Sequence, residues 1–193
     1  MKKDIILAGV GGQGIISIAG IIGYAAIADN LELKQSEVHG MSQRGGAVMS
    51  NLRISDKPIA SDLIPYGKAD VIISVEPMES LRYLSYLAPD GWLITNLEPF
   101  NNISNYPDLE EVIANIKKVK NHVILNANNI AKDVNAKRSM NTVMLGAAVP
   151  FLGLSAEKFE LGIKGVFGKK GDDIINQNIA ALQAGIKEAQ KFI

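Results

Sequence analysis

The sequence predicts an α/β fold in three layers, α/β/α, with a mainly parallel, mixed sheet, one antiparallel hairpin and a helical C-terminal third. Three observations lead to this prediction. Continuous apolar runs at residues 4–8 and 70–75 are typical of strands that are buried on both faces. Helical patterns alternate with such runs, as expected for a parallel sheet covered by helices. After Lys137 only helical patterns follow.

The first third begins with a strand, a glycine turn and a helix. Residues 4–8 form the strand, and residues 14–28 form a helix that is apolar nearly all round and therefore buried. An alternating apolar and polar pattern at 48–54 stops at 56–57 and resumes at 59–64. Alternation on both sides of a short polar break predicts a β-hairpin with its turn at 56–57.

In the middle third, strand and helix patterns alternate again. Acidic residues at the start and lysines at the end of 108–120 match the macrodipole of a helix. Pro89, Asp90 and Gly91 are turn residues and predict a turn. The predicted elements are strands at 70–75, 92–95 and 122–125 and helices at 77–87 and 108–120.

The C-terminal third is predicted to contain three helices. The first covers 141–149, the second covers 155–164 with Ser155 as its N-cap, and the third is a long amphipathic helix over 172–192. No internal repeat or linker interrupts the 193 residues, a length that suits one domain, so we expect a single domain over 1–193.

The charge balance excludes several classes of partner. Lys and Arg total 20 and Asp and Glu total 20, so the formal net charge is zero. We therefore expect neither nucleic acid nor an anionic membrane as a partner. The apolar runs fall short of the roughly 20 residues that span a bilayer, and no secretory signal pattern is found, so the protein is expected to be cytoplasmic.

The absence of cysteine limits the chemistry further. With no cysteine in the sequence, this chain cannot form a disulfide, bind an iron–sulfur cluster through thiolates or use a cysteine nucleophile. The only two histidines, His39 and His122, are far apart and lack carboxylates at metal-site spacing. We expect no metal site.

The first candidate site is a Gly-x-Gly-x-x-Gly motif between the first strand and the first helix. Its glycines are Gly9, Gly11 and Gly14, and such glycines let the backbone approach an anion at a helix N-terminus. A dinucleotide site also needs an acidic residue after a second strand, and none is clearly placed there. Three interpretations stay open: an NAD site, a tight turn without ligand, and contact with an anion or a coenzyme.

The second candidate site is a glycine-rich loop centred on Arg44. Glycines at this density indicate a required backbone shape, and a guanidinium on such a loop suits a phosphate, a carboxylate or a partner chain. His39 precedes the loop and is expected only to form hydrogen bonds. The candidate binding residues of the two sites are Gly9, Gly11, Gly12, Gln13, Gly14, Ser42, Gln43, Arg44, Gly45 and Gly46.

Polar residues follow three of the predicted strands. Glu76, Asn96 and Asn126 should lie at the carboxyl edge of the sheet, where open α/β sheets bind ligands. They are equally well explained as caps of turns and helices. A small basic group, formed by Lys164, Lys169 and Lys170, is expected to be solvated, with contact to a diphosphate as the alternative.

Several segments occur in an order that resembles one protein family. They are GVGGQG at 9–14, EVHGMSQRGG at 37–46, SDLIP at 61–65, EPME at 76–79, LRY at 81–83, NTVMLG at 141–146 and a segment at 178–185. Together they resemble the gamma subunit, or gamma domain, of 2-oxoacid:ferredoxin oxidoreductases over nearly the whole chain. A free-standing chain of this size that begins near its glycine motif is most similar to the indolepyruvate branch of the family.

The resemblance implies a function that the motifs alone do not. Enzymes of this family decarboxylate a 2-oxoacid on thiamine diphosphate, pass electrons through iron–sulfur clusters to ferredoxin and release an acyl-CoA. It implies that thiamine diphosphate and the clusters lie on a large partner subunit, and that no residue of this chain is catalytic. The ten glycine-site residues would contact coenzyme A, substrate or the partner.

Alternatives remain at this stage. The oxoacid could be pyruvate, 2-oxoglutarate or a branched-chain oxoacid instead of an aryl pyruvate. A stand-alone nucleotide-binding or regulatory module is the alternative of another class, and the isolated chain could form a homodimer.

Overall fold

The computed structural model describes residues 1–40, 45–101 and 103–193. Its centre is a six-stranded mixed sheet with the strand order β2-β3-β1-β4-β5-β6. β1, β4, β5 and β6 are mutually parallel, whereas β3 lies antiparallel between β1 and β2. The strands are β1 (Lys2–Val10), β2 (Glu32–His39), β3 (Ala47–Ser55), β4 (Ala69–Ser74), β5 (Leu87–Asn96) and β6 (His122–Leu125).

Helices cover the two faces of this sheet. They are α1 (Ile15–Ile27), α2 (Pro77–Arg82), α3 (Leu109–Ile116), α4 (Ala127–Asp133), α5 (Met140–Leu152), α6 (Ala156–Phe167) and α7 (Asp172–Ala189). Successive side chains of a strand point to opposite faces, so Ile5 and Leu7 pack with α1 and α4 to α7, whereas Ile6 packs with α3. The predicted three-layer α/β/α architecture with a helical C-terminal third is confirmed.

The sheet contains an antiparallel hairpin, but β2 and β3 form it, so the prediction of a turn at 56–57 followed by a strand at 59–64 was wrong. β3 pairs with β2, and residues 59–64 form a loop instead of a strand. Arg53 Nη1 holds this loop by donating to the main-chain oxygens of Ser61 and Leu63. β2 was not predicted because residues 32–39 are mostly polar, and an edge strand tolerates such residues.

Three other predictions in the middle of the chain need correction. The expected turn at 89–91 lies inside β5, at a shift in its register with β4. Gly91 permits this shift because a Cβ there would lie 2.8 Å from the main-chain oxygen of Ala69. The helix predicted over 77–87 ends at Arg82, and α4 was not predicted because its seven residues give too short a periodic pattern.

The topology places a crevice beside the first glycine motif. The chain leaves β1 through α1 towards β2, but leaves β4 through α2 towards β5 on the other side of the sheet. The two connections therefore diverge at the carboxyl ends of β1 and β4, the position where open α/β sheets bind ligands.

Candidate ligand site at the glycine-rich turns

The turn between β1 and α1 requires glycine for two different reasons. Gly12 and Gly14 have φ values of +103° and +83°, in a region that side chains disfavour. Gly9 is needed for packing, because a Cβ there would lie 2.4 Å from a methyl carbon of Val75. The motif thus supports the geometry of the turn, which ends at the N-terminus of α1, where the first N–H groups of a helix lack intrahelical acceptors.

Gln13 fills the crevice between the two diverging strands. Its Oε1 accepts a hydrogen bond from the Val10 N–H at 2.8 Å, and its Nε2 donates to the Val75 main-chain oxygen at 3.5 Å. One side chain therefore links the carboxyl ends of β1 and β4. Gln13 therefore occupies this crevice.

The two glycine clusters meet in space. Val10 and Ala47 are partners in the antiparallel pairing of β1 with β3, so the chain beyond each strand end reaches the same edge. There the Gly11 N–H donates to the Gly46 main-chain oxygen at 2.9 Å, and Gly45 returns a bond to Gly11 at 3.4 Å. Ser42, Gln43 and Arg44 lie outside the described residues, as does the His39 side chain.

Of the strand-end residues, Glu76 is a buried N-cap. Its Oε2 accepts from the Glu79 N–H at 2.8 Å, and its Oε1 accepts from the Tyr106 hydroxyl at 2.5 Å. Burial and the nearby carboxylate raise the pKa of Tyr106 far above its usual value. Phe100 also donates its main-chain N–H to Oε1, at 3.4 Å.

Asn96 and Asn126 are likewise structural. Asn96 is buried, accepts from the Ala127 N–H at 3.1 Å and donates to the Glu98 main-chain oxygen at 3.3 Å. Asn126 caps α4 by accepting from the Asn129 N–H. The expectation that these polar residues share one edge holds, and the capping interpretation describes their hydrogen bonds.

Three clefts surround the tip of the glycine turn, and each is lined by Gly12. The strand cleft, of about 320 Å³, lies against β3 and includes Ile16, Ser17, Glu37 and Val48. The loop cleft, of about 340 Å³, includes Asn96, Glu98, Pro99, Phe100, Asn128, Lys137, Arg138 and Met140. The helix cleft, of about 330 Å³, includes Gly14, Arg138, Ser139, Lys170, Ile174, Gln177 and Asn178.

Cations border the helix cleft and the loop cleft. Arg138 lines both, Lys137 lines the loop cleft, and Lys170 lines the helix cleft, where its Nζ lies 5.2 Å from the centre of the Phe167 ring. Of the predicted basic group, Lys170 therefore faces the glycine turn. Sequence reasoning missed Lys137 and Arg138, although two adjacent cations just before a predicted helix were the available signal.

The described residues hold no cluster of three or more His, Asp or Glu side chains that could bind a metal ion. Within those residues, no helix has both the length and the apolar character that crossing a membrane demands.

Comparison with known proteins assigns the family. A family model described as pyruvate ferredoxin/flavodoxin oxidoreductase matches residues 4–188. The chain belongs to this family. The resemblance inferred from its motifs is thereby confirmed, together with the fold that the resemblance implied.

Members of the family match the chain from end to end. The indolepyruvate oxidoreductase subunit IorB of Pyrococcus horikoshii is 35% identical, over 100% of this chain and 99% of its own length. IorB of Archaeoglobus fulgidus is also 35% identical, over 98% and 96%. The common gamma subunit of the pyruvate/ketoisovalerate oxidoreductases of Pyrococcus abyssi is 30% identical, over 95% of both chains.

Solved structures share the fold. The gamma subunit of a keto/oxoacid ferredoxin oxidoreductase from Geobacter sulfurreducens superposes with a TM-score of 0.73, at 27% identity over 98% of this chain and 99% of that one. The 2-oxoglutarate:ferredoxin oxidoreductase of Magnetococcus marinus, solved with 2-oxoglutarate, coenzyme A and succinyl-CoA, gives a TM-score of 0.77 at 22% identity. There the fold covers 32% of a longer chain.

Proposed function

We propose that this chain is the small subunit of an indolepyruvate:ferredoxin oxidoreductase, a complex that converts an aryl pyruvate to its acyl-CoA and reduces ferredoxin. The observation that carries the proposal is the full-length similarity to IorB at 35% identity. Gamma subunits of the pyruvate/ketoisovalerate enzymes reach 30%, and a 2-oxoglutarate synthase subunit of Methanocaldococcus jannaschii reaches 28%.

The redox centres of such a complex belong on its large subunit. Iron–sulfur clusters need thiolate ligands, and this chain has no cysteine. We therefore place the clusters, and with them thiamine diphosphate, on a large partner subunit. We further propose that the complex works in the cytoplasm, where ferredoxin is reduced. This chain supplies no catalytic residue. Its role is to contact coenzyme A and to shape the surface that meets the ligand or the partner subunit.

The binding role we assign is contact with the diphosphate of coenzyme A. Gly12 and Gly14 form the turn just before α1 and let an anion approach the main chain there. At the N-terminus of α1, free N–H groups and the helix dipole favour such an anion. Arg138 and Lys170 border the same cleft and supply charge-assisted hydrogen bonds.

The other candidate residues have two roles at the proposed diphosphate site. Gly9, Gly11 and Gln13 hold the turn in shape through the contacts with Val75, Gly46 and Val10. We propose that Ser42, Gln43 and Arg44, together with Gly45 and Gly46, face the ligand or the partner subunit. Arg44 would add a third cation to the diphosphate site.

The test of subunit function is co-expression with the large subunit. The complex should reduce ferredoxin or a viologen with indolepyruvate and coenzyme A, and the isolated chain should not. Full activity of a correctly assembled large subunit without this chain would contradict the proposal. Faster turnover of pyruvate, 2-oxoglutarate or a branched-chain oxoacid would move the chain to that branch of the family.

The binding role has a separate test in the same complex. Replacing Arg138 or Lys170 with alanine should raise the KM for coenzyme A about tenfold, because each loses one charge-assisted contact. The KM for the oxoacid should not change. Lys169→Ala is the matched control. Lys169 is exposed and adjacent to Lys170, but it is not among the described residues that line the helix cleft. Equal effects of all three variants would exclude a specific diphosphate site.

A further inference from the structure

A further cleft lies at the opposite edge of the sheet from the glycine turn. It forms between the first residues of β1, β4 and β5 and the C-terminal end of α5, and its volume of about 400 Å³ lies within the range of ligand pockets. In the described parts of the chain, it shares no lining residue with the three clefts at the glycine turn. We call it the edge cleft; the residues that give it its chemistry are Lys3, Asp70, Asp90, Trp92, Phe151 and Gly153.

A bulge in β5 shapes the edge cleft. Ala69 pairs with Leu87 and Val71 pairs with Trp92, so β5 contains more residues than β4 between these two pairs. The extra residues leave the ladder, and Asp90 among them is exposed at the rim of the cleft. Bulges re-aim side chains in this way and are over-represented next to functional sites.

Two stacked aromatic rings border the cleft. The ring centres of Trp92 and Phe151 lie 4.1 Å apart, with 27° between the ring planes. Both residues are only half-buried, so part of each side chain remains open to the cleft. The face of an aromatic ring attracts cations, and that of tryptophan does so most strongly.

The two carboxylates of the cleft have capacity for a further donor. Asp70 accepts the Asp4 N–H at 2.7 Å through Oδ2, and no described residue donates to its Oδ1. Asp90 pairs with Lys120 at 3.0 Å, but these side chains are 87% and 74% exposed. An ion pair so exposed contributes little and is easily displaced.

The one cation that lines the described part of the cleft is balanced by a helix. Lys3 Cε lies 3.8 Å from the position that a Cβ on Gly153 would take, and Gly153 is the C-cap of α5. The C-terminal end of a helix carries a partial negative charge, which favours Lys3. The carboxylates of Asp70 and Asp90 are therefore left to attract a cation from outside.

A guanidinium group matches this combination, because it is planar, stacks on aromatic faces and donates in pairs to carboxylates. We infer that the edge cleft binds the guanidinium group of an arginine side chain on the large partner subunit. A second copy of this chain is a poor source, because its four arginines already have roles: Arg53 pairs with Asp4, Arg82 pairs with Glu79, Arg138 lines the glycine-turn clefts and Arg44 is assigned to the loop above. Only the identity of the partner rests on the proposed function.

Trp92 is the only tryptophan of the chain and reports on the cleft directly. The probe is Nα-acetylarginine methylamide, titrated into the full chain, and the corresponding citrulline derivative is its neutral isostere. The arginine probe should change the Trp92 fluorescence in a saturable way. It should bind about tenfold more tightly than the citrulline probe, which lacks the positive charge.

Substitutions of single charges locate the probe. Asp70→Asn and Asp90→Asn should each weaken the arginine probe about tenfold, because each removes a charge-assisted contact. Lys120→Ala should strengthen it, since this variant releases the Asp90 carboxylate, and general destabilisation would not produce such a gain. Asp62→Asn is the matched control, because Asp62 is exposed and is not among the described residues that line the cleft.

The source of the arginine is tested in the complex. The variant that carries both Asp70→Asn and Asp90→Asn should associate about tenfold more weakly with the large subunit, and Asp62→Asn should associate normally. Sedimentation of mixtures of the two subunits measures this. An excess of the arginine probe should weaken association of the wild type and have no effect on the double variant.

Each failure has a separate meaning. If the citrulline probe binds as tightly as the arginine probe, or neither binds, the edge cleft is not a guanidinium site, and an active complex would still support the proposed function. If the arginine probe binds but the double variant associates normally, the partner supplies no arginine to the cleft, and the inference is wrong about the source. If no complex with the large subunit forms at all, the proposed function itself is wrong.

Discussion

The Asn141 side-chain amide donates a hydrogen bond to the main-chain oxygen of Gly14 at 3.2 Å, which connects two segments 127 positions apart in the chain. Gly14 is the N-cap of α1, and Asn141 lies in the first turn of α5. Two of the motifs that mark the family are therefore in direct contact, and the first turn of α5 supports the glycine turn through this hydrogen bond.

This contact predicts that Gly14 and Gly12 respond differently to alanine. Both have positive φ, so both variants should lose about 1–3 kcal/mol from backbone strain. At Gly14 the new Cβ would also lie 2.5 Å from Asn141 Nδ2, so the amide must move away and lose its hydrogen bond to the Gly14 oxygen, which should cost about 1 kcal/mol more. At Gly12 the Cβ meets nothing within 4 Å. Urea unfolding of the two variants checks the difference, and equal losses would contradict it.

Gln13 gives a prediction in which stability and binding separate. Gln13→Leu removes the acceptor of the Val10 N–H and should cost about 1–3 kcal/mol of the free energy of unfolding. Gln13→Glu retains that acceptor, so it should lose less stability. Its negative charge beside the glycine turn should nevertheless weaken diphosphate binding. Unfolding and calorimetric titration measure the two effects, and a Gln13→Glu variant that binds diphosphate normally would count against an anion at this site.

The strand, turn and helix at the start of the chain were predictable because their signals are local. A buried apolar run, three glycines and an apolar helix need no information from the rest of the chain. β2 was not predictable in the same way, because an edge strand beside β3 needs few apolar side chains. The hairpin was therefore assigned to 59–64, where apolar residues do recur but form a loop held by Arg53.

The candidate site was half predictable for a similar reason. Each glycine cluster stands out in the sequence, but their contact at Gly11 and Gly46 depends on the β1–β3 register. Arg138 and Lys170 reach the site only because α5 packs on α1 and α7 packs on α5. Long-range packing of this kind leaves no periodic trace in one sequence.

The crossing of α5 and α7 predicts a severe effect of a single methyl group. A Cβ at Gly185 would lie 2.1 Å from the Val143 main-chain oxygen, and one at Gly146 would lie 2.1 Å from the Leu182 oxygen. Backbone atoms cannot rotate away, so Gly185→Ala should cost about 3 kcal/mol. Gly168→Ala, which meets nothing within 4 Å at an ordinary φ, should change stability by less than about 0.5 kcal/mol. Thermal unfolding of both variants tests the crossing, and two equally stable variants would mean that the helices separate freely.

Glu79 predicts how stability changes with pH. Burial raises the pKa of Glu79, and Arg82, whose Nε lies 2.8 Å from the carboxylate, offsets this only in part. A carboxyl with a raised pKa binds its proton more tightly in the folded state, so its contribution to stability is full below pH 4.5 and is lost as the pH rises through the raised value. Glu79→Gln does not titrate. Its free energy of unfolding should therefore rise relative to the wild type as the pH increases from about 4.5 through the raised pKa of Glu79.

Glu157 provides the control of opposite sign for this pH effect. A hydrogen bond from Ser155 at the start of α6 lowers the pKa of Glu157, so the wild type gains stability from this residue as the pH rises from the lowered pKa to about 4.5. Glu157→Gln should therefore lose stability relative to the wild type as the pH rises towards about 4.5 and show no further trend above it, whereas Glu79→Gln gains stability above that pH. Chemical unfolding at several pH values measures both trends. If the two variants changed in the same direction, burial would not govern the titration of Glu79, and its carboxylate would be stabilised mainly by Arg82.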